Sequence, residues 1–186
     1  MGYLDRQIAA FDQRIEALLD PLQDEIRRLS TIPGVGPQTA QCVLAEIGAD
    51  MSRSPTAHHL GSWAAVCPGN HESAGKRCSG RTNHGNRWLG AALCQAAWAA
   101  SHSKNTYRAA QYRRLAGRRG MKRAIVAVGH TMLVMIYHML RDGVDYKELG
   151  HDYLDKLQPE RLTHYLAKRL ESLGHEVTLR PADQAA

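Results

Sequence analysis

Acidic residues are missing from a long part of this sequence, and aromatic residues are scarce throughout. Aromatic side chains make up 6% of the 186 residues, with a single Phe. Residues 73–141 contain no Asp or Glu, although they hold 13 of the 24 Lys and Arg. Because hard cations such as Mg²⁺ prefer carboxylate oxygens, this stretch alone offers them no ligands.

The four cysteines form neither a CxxC pair nor a disulfide framework. With no signal-peptide pattern at the N-terminus, we expect reduced thiols and a cytoplasmic protein. A zinc site could be drawn from four irregularly spaced residues, Cys67, His71, Cys78 and His84. We do not favour zinc there, because the intervening residues are strongly basic.

No apolar run is suited to a membrane. The longest one, residues 124–140, contains His130 and His138 and is too short and too interrupted to cross a bilayer. We therefore predict a buried central helix with two core histidines and no membrane partner.

The sequence does contain a basic block inside an otherwise acidic chain. Outside residues 73–141 there are 11 Lys and Arg against all 18 Asp and Glu, while the whole chain carries a net charge of +6. A segregated block of this kind indicates a polyanionic partner, for which we take DNA. A merely solvated basic face is the alternative.

A glycine-rich stretch, residues 68–88, opens this block. Its four glycines disfavour a stable helix, and they leave amide groups that a phosphate can approach closely. Four cations are interspersed among them, Lys76, Arg77, Arg81 and Arg87. We predict an ordered loop that grips a phosphodiester backbone.

The N-terminal segment has the pattern of a coiled coil. Apolar residues recur at alternating steps of three and four, at Leu4, Ile8, Phe11, Ile15, Leu18 and Leu22. Pro21 interrupts the helix, and a second short helix should end near Leu29. We predict a coiled-coil arm over residues 1–28 whose partner lies outside this chain, as in an excised fragment, or else an arm that folds back.

Residues 29–48 match a helix-hairpin-helix motif. Ile32-Pro33-Gly34-Val35-Gly36 predicts a tight turn, Pro37 is suited to start a helix, and Gly48 to end it. In such a motif the amides of Gly34, Gly36 and the following helix face a DNA phosphate. An ordinary helix–helix corner is the alternative.

The remaining pattern predicts a mainly α protein: an N-terminal coiled-coil helix, the helix-hairpin-helix, and a compact helical domain with a long basic glycine-rich loop. The compact domain should cover residues 29–145 and a C-terminal helix and tail residues 146–186. Trp88 and Trp98 are expected in the core. One helix should display its arginines outward, namely Arg108, Arg113, Arg114, Arg118 and Arg119.

Four motifs in order, IPGVGP, SWAAVCPGN, ESAGK and SGRTNHGN-RWL, resemble one known family. They resemble the C-terminal domain of bacterial insertion-sequence transposases that pair an N-terminal RuvC-like DEDD domain with a serine-bearing C-terminal domain. Members are described as recombinases guided by a bridge RNA. Near Gly90 the family generally has a basic residue, which puts the activity of this copy in question.

The resemblance implies that Ser73 attacks DNA and becomes covalently linked to it, with Ser79 as the competing nucleophile. Lys76, Arg81 and Arg87 would stabilise the transition state. Mg²⁺ would be held by the absent RuvC-like domain, so the fragment should bind no cofactor itself and should not cut DNA alone. The expected DNA-binding residues are Gly34, Gly36, Lys76, Arg77, Arg81, Asn86, Arg87, Arg113 and Arg114.

The expected partners are DNA, a guide RNA, the RuvC-like domain and further copies of the chain. Two other functions stay open at this point. One is a non-catalytic helix-hairpin-helix module that binds nucleic acid, and the other is an oligomerisation module that depends on the N-terminal stripe.

Overall fold

The computed structural model describes residues 2–67, 71–79, 82 and 84–180, although not the side chains of residues 71, 72 and 77–79. The protein is mainly helical, which confirms the predicted fold class. Its helices are α1 (Tyr3–Leu19), α2 (Gln23–Leu29), α3 (Pro37–Ile47), α4 (Ala57–Trp63), α5 (Arg87–His102), α6 (Tyr107–Arg119), α7 (Met121–Asp142), α8 (Tyr153–Lys156) and α9 (Pro159–Glu171). Short 3-10 turns cover Asp20–Leu22 and Met51–Arg53.

The two N-terminal helices differ in burial. No residue of α1 is buried, and its apolar stripe faces solvent, with Leu4 72% and Phe11 67% exposed. The 3-10 turn that contains Pro21 separates α1 from α2, because proline cannot continue the hydrogen-bond pattern of the helix. In α2, Ile26 and Leu29 are buried in the core. The coiled-coil partner of α1 therefore stays a prediction, whereas α2 is part of the compact domain.

The core is built around α5 and α7. Helix α3 packs on α5, α4 packs on α7, and α6 packs on both central helices. The side chains that α5 buries are mostly small, namely Leu89, Ala92, Leu93, Ala96, Ala97 and Ala100. A Cβ at Gly129 of α7 would lie 3.4 Å from the Leu93 carbonyl oxygen. Small residues at this contact allow the two central helices to approach each other closely, at the packing density of protein interiors.

Helix α7 has the length and composition of a membrane span, and within the described residues it is the one helix that meets this test. It nevertheless packs against α4, α5 and α6, and it buries Val128, Met132, Leu133 and Ile136. This is how the core helix of a folded domain behaves, as the sequence predicted.

Three sequence predictions about burial were wrong. Trp88 and Trp98 are 68% and 53% exposed, because the buried face of α5 is the Leu89, Leu93, Ala96 face. At 100° per residue, Trp98 lies opposite that face. Arg108 was expected to point outward but is 6% exposed, and His138 is exposed rather than in the core. Periodicity shows that a helix has a buried face, but the neighbouring helices decide which face it is.

The segment after α7 folds back onto the domain. Gly143 ends the helix in the left-handed conformation, with φ of 67°. The Tyr146 amide donates to Thr31 Oγ1 at 3.1 Å, and Asp145 lies 3.6 Å from the Arg28 guanidinium. The Glu148 carboxylate accepts from the Tyr107 amide at 2.8 Å. These contacts join the acidic C-terminal segment to α2 and to the start of α6.

Candidate nucleic-acid interface and nucleophile

Part of the predicted glycine-rich loop forms a β-hairpin, which the sequence did not predict. Strands β1 (His71–Ser73) and β2 (Lys76–Ser79) pair antiparallel around Ala74 and Gly75. Both turn residues have positive φ, 49° and 74°, as a type I′ hairpin turn requires. Glycine favours this turn, and so the residues that prevent a helix here instead close a tight hairpin.

The hairpin places Ser73 beside Lys76. The two residues are directly paired across the strands, and both are exposed. Directly opposed residues on antiparallel strands project from the same face, with Cβ atoms about 5 Å apart. A phosphate at the Ser73 hydroxyl would therefore lie within reach of the Lys76 ammonium group. The side chain of Arg77 and all of Arg81 lie outside the described residues, and the same holds for the side chain of Ser79.

Asn86 links the hairpin region to the helical core. Its side-chain oxygen caps α5 by accepting from the Trp88 and Leu89 amides, both at 3.0 Å. Its amide nitrogen donates to Glu46 Oε2 of α3 at 2.5 Å. A Cβ on the preceding Gly85 would lie 2.4 Å from the Ala65 Cβ, so the chain passes directly against the end of α4. Asn86, predicted to bind DNA, thus has both polar atoms engaged inside the protein.

The turn before α3 shows different roles for its two glycines. The Val35 amide donates to the Ile32 carbonyl at 3.0 Å, and Gly34 has φ of 91°, which is typical of a type II turn with Pro33 before the glycine. A Cβ on Gly34 would lie 2.4 Å from the Ala96 carbonyl oxygen. Gly34 is therefore required for packing on α5, whereas Gly36 is exposed with nothing within 4 Å of an added Cβ.

These contacts fix the distance between two parts of the predicted DNA-binding surface, namely Gly36 before α3 and Asn86 before α5. The turn at Gly34 lies on α5 near Ala96, and the end of α3 contacts Asn86 before the start of α5. Helices α3 and α5 therefore run antiparallel. At 1.5 Å per residue, Gly36 and Asn86 lie roughly 15 Å apart along them. The start of α3 and the start of α5 therefore lie at opposite ends of this helix pair.

The arginines of α6 have different environments. Arg113 and Arg114 are exposed, as predicted. Arg114, however, pairs with the Asp155 carboxylate of α8 and donates to the Leu154 carbonyl at 3.3 Å. The buried Arg108 donates to Gln111 Oε1 at 2.9 Å, and burial lowers the pKa of Arg108. Arg113 is thus open to a phosphate, whereas Arg114 is already bound to a carboxylate.

A cysteine–histidine contact connects α7 to the end of α4. Cys67 Sγ lies 3.6 Å from His130 Nδ1, and a Cβ on Gly61 would lie 3.2 Å from both side chains. Sequence reasoning placed His130 in the core but did not pair it, because 63 positions separate the two residues. Of the four residues from which a zinc site could be drawn, His71 and Cys78 have side chains outside the described part of the chain. Within the described part of the chain, no group of three or more His, Cys, Asp or Glu side chains could share a metal.

His130 predicts a pH dependence of stability. Burial, and secondarily the positive charge of His58, lower the pKa of His130 below its usual 6.5. Between these two pKa values the unfolded chain binds more protons, so the free energy of unfolding should fall as the pH drops below about 6.5. Urea titrations at pH 7 and pH 5 measure how much the free energy of unfolding falls. In His130→Gln that fall should be smaller, by up to about 1.4 kcal/mol per pH unit.

The matched control is His138→Gln, which changes an exposed histidine of the same helix. It should leave the pH dependence as in the unsubstituted protein. An equal reduction in both variants would contradict the assignment to His130.

Comparison with known proteins adds the family context. Residues 26–114 match the sequence model of the Transposase IS116/IS110/IS902 family. This range contains the second half of α2, all of α3 and α4, the hairpin, α5 and the arginines of α6 up to Arg114. The matched region thus includes every residue that we selected as a candidate site.

Two curated relatives extend this match beyond residues 26–114. The chain is 32% identical over 145 residues to the insertion element IS110 uncharacterized 43.6 kDa protein of Streptomyces coelicolor. It is 29% identical over 147 residues to the transposase for insertion sequence element IS1111A of Coxiella burnetii. These alignments cover 76% and 77% of this chain but only 35% and 40% of the relatives. The chain therefore corresponds to less than half the length of either relative.

Proposed function

We propose that this chain is the DNA-binding, nucleophile-bearing part of an insertion-sequence transposase. The observation that carries the proposal is the pairing of Ser73 with Lys76 on an exposed hairpin, inside the region that matches the transposase family. Attack on a phosphodiester needs a nucleophile and a positive charge near the phosphorane oxygens that become more negative. The hydroxyl of Ser73 would supply the first and the ammonium group of Lys76 the second.

The proposed reaction is a transesterification. The Ser73 oxygen forms a bond to phosphorus while the bond from phosphorus to a deoxyribose oxygen breaks. The serine proton goes to a base, and the departing sugar oxygen takes up a proton. Lys76 stabilises the negative charge on the non-bridging oxygens. The product is a serine–DNA phosphodiester that a second strand end can attack, and this completes strand transfer.

The base and the metal are proposed to come from elsewhere in the protein. Mg²⁺ bound by a RuvC-like carboxylate cluster would lower the pKa of the hydroxyl and neutralise phosphate charge. The described residues of this chain offer no group that could hold it. We therefore expect this chain to bind DNA without cleaving it. Robust strand transfer by the isolated chain with Mg²⁺ would contradict the composite site.

DNA binding is proposed to use two separated contacts along α3 and α5. Amides at the exposed Gly36 and at the start of α3 donate to one phosphate, because the N-terminus of a helix favours an anion. Arg87, at the start of α5 about 15 Å away, contacts the same strand. Lys76 on the hairpin adds a second cation. Arg113 on α6 adds a further cation, and Arg77 and Arg81 are proposed to do so as well.

The binding test is a titration of labelled duplex DNA at increasing salt. We expect the logarithm of the binding constant to fall linearly with the logarithm of salt concentration, by about 0.9 per phosphate contacted. Arg113→Ala should reduce that slope by about one, whereas Arg6→Ala on the exposed α1 should not change it.

A slope near zero would refute phosphate binding and leave the oligomerisation module as the remaining function. Light scattering with and without the first thirty residues would then test that module.

A non-catalytic module that binds through the turn at Gly36 is the second candidate function, because this turn is open and needs no serine. The two functions differ in the effect of Ser73→Ala on strand joining, while both predict binding. Guide-RNA use is a further proposal that rests on the family resemblance. Association of copies through α1 is proposed from its exposed apolar stripe, and action in the cytoplasm from the cysteine pattern.

The ion pair of Arg114 gives a prediction about affinity. Asp155→Asn should free Arg114 for a phosphate, so DNA binding at low salt should tighten about two- to fivefold, the range of an exposed ion pair. The salt slope should steepen by about one. Fluorescence anisotropy with labelled duplex measures both quantities.

The control for this prediction is Asp152→Asn. It removes the same charge from the same segment, but Asp152 pairs with Lys156 at 2.5 Å rather than with Arg114. Equal tightening by both variants would mean that overall charge, and not release of Arg114, is responsible.

A further inference from the structure

We propose that Trp88, with Arg87 against its ring, is a stacking site for an unpaired nucleobase. The inference rests on the proposed function and specifies part of its substrate: a single-stranded segment of DNA or RNA next to the hairpin. A transposase that joins strands must at some stage handle unpaired ends, and this site would hold one base of such a segment.

The first observation is the exposure of Trp88. The ring is 68% exposed although it lies in the first turn of α5, a helix whose other face is buried in the core. Leaving a large aromatic side chain in water forfeits the stabilisation that its burial would contribute. Within the described part of the chain, Trp88 is not among the residues that α5 buries.

The second observation is the cation beside the ring. The Arg87 guanidinium carbon lies 5.5 Å from the centroid of the Trp88 ring, within the range of a cation–π contact. Such a contact holds the cation beside one part of the ring. A base that stacks on the ring would therefore have its phosphate near a positive charge. Aromatic rings combined with arginines are the usual elements of sites for single-stranded nucleic acid.

The third observation concerns the start of α5. The amides of Trp88 and Leu89 are already satisfied by the Asn86 side chain, so the N-terminus of this helix is not a free anion site. The groups left for a ligand are the side chains of Arg87 and Trp88. They suit a base with its phosphate rather than a phosphate alone.

The local charge favours a nucleobase over an apolar protein partner. The cation in contact with the ring is Arg87, and the ring lies within residues 73–141, which contain no Asp or Glu. The carboxylate that comes near from α3, Glu46, is engaged by the Asn86 amide. The ring would have to accept a base that is not paired, because bases in a duplex already stack on their neighbours. The occupant is therefore an unpaired base, and its sugar can be deoxyribose or ribose.

The test uses the chain with Trp63→Phe and Trp98→Phe, which leaves Trp88 as the one tryptophan. Its fluorescence is followed while oligothymidylate, oligouridylate of equal length, or duplex DNA is added; about 12 nucleotides suffice for one site. We expect strong quenching by at least one single strand and little by the duplex. The stronger of the two single-strand responses identifies DNA or RNA as the source of the base.

Affinity measurements complete the test. Trp88→Ala should weaken single-strand binding by about 5- to 100-fold, the worth of one stacked base, and leave duplex binding within twofold. Trp88→Tyr should retain most of the affinity. The matched control is Trp98→Ala, which removes an exposed tryptophan of the same helix whose ring instead packs on His102, with centroids 4.5 Å apart. Trp98→Ala should have no effect on either ligand.

The possible failures are distinguishable. Binding of single strands without quenching of Trp88, or with unchanged affinity in Trp88→Ala, overturns the stacking site and leaves the proposed function intact. Equal losses for duplex and single strand also overturn it, because they indicate a general binding contribution. Absence of salt-dependent binding to any of the three nucleic acids overturns the proposed function and the stacking site together.

Discussion

Ser73→Ala should abolish strand joining by a protein that contains this chain together with the proposed RuvC-like domain. The expected loss is about four orders of magnitude or more, the scale seen when a catalytic nucleophile is removed. Duplex affinity should stay within twofold, because Ser73 is exposed and uncharged and the proposed contacts to DNA are made by cations such as the neighbouring Lys76. The measurement is product formation on a radiolabelled donor under single-turnover conditions.

Two further variants locate the effect of Ser73→Ala. Ser79→Ala should keep most of the activity, whereas Lys76→Ala should slow joining more than it weakens binding, because the ammonium group acts on charge that develops in the transition state. Lys76→Arg should restore part of the rate. Full activity of Ser73→Ala together with loss in Ser79→Ala would transfer the nucleophile to Ser79.

Gly34→Ala should destabilise the fold by about 3–5 kcal/mol, the second large effect that we expect. At φ of 91° an alanine is strained, and its Cβ would lie 2.4 Å from the Ala96 carbonyl oxygen and 2.6 Å from the Ala100 nitrogen. Both obstacles are backbone atoms of α5, so relief requires the turn to move away from the core. Urea denaturation followed by circular dichroism measures the change.

Gly90→Ala is the control for this substitution. Gly90 lies inside α5 with nothing within 4 Å of an added Cβ, and alanine there should raise stability by about 0.5–1 kcal/mol. If Gly34→Ala were as stable as the unsubstituted protein but bound DNA more weakly, Gly34 would be a phosphate contact rather than a packing residue.

Helix ends could be predicted from the sequence where local chemistry determines them. Pro37 begins α3 and Gly48 follows its last residue, Ile47, as the N-terminal preference of proline and the C-terminal preference of glycine indicate. Leu29 ends α2, and Pro21 lies in the 3-10 turn that separates α1 from α2. These features depend on a few neighbouring residues, so they could be read before the structure was known.

The burial of side chains, and the residues they contact, could not be predicted in the same way. Trp98 and Arg108 were assigned to the wrong environments because the orientation of a helix depends on what packs against it. Carboxylates from outside residues 73–141 contact the acid-free block in the folded protein. Glu46 accepts from Asn86, Glu148 caps α6 and Asp155 pairs with Arg114. Counting charges along the chain could not show these contacts, because the fold brings the residues together from distant positions.

The candidate site was predicted in part. The resemblance selected Ser73, and the structure adds that it is exposed and faces Lys76 across a type I′ turn. The hairpin itself was missed because glycine and basic residues between helices equally suit an irregular loop. The exposed Trp88 was missed because a tryptophan in an alanine-rich helix is usually a core residue.

The most direct test of the account is the identity of the residue that becomes attached to DNA. A protein that contains this chain and the proposed RuvC-like domain is incubated with Mg²⁺ and a donor DNA whose second strand end is missing, so that the covalent product accumulates. After protease and nuclease digestion, mass spectrometry should find the nucleotide on Ser73. An adduct on Ser79 or any other residue, or strand joining with no protein–DNA adduct, would contradict it.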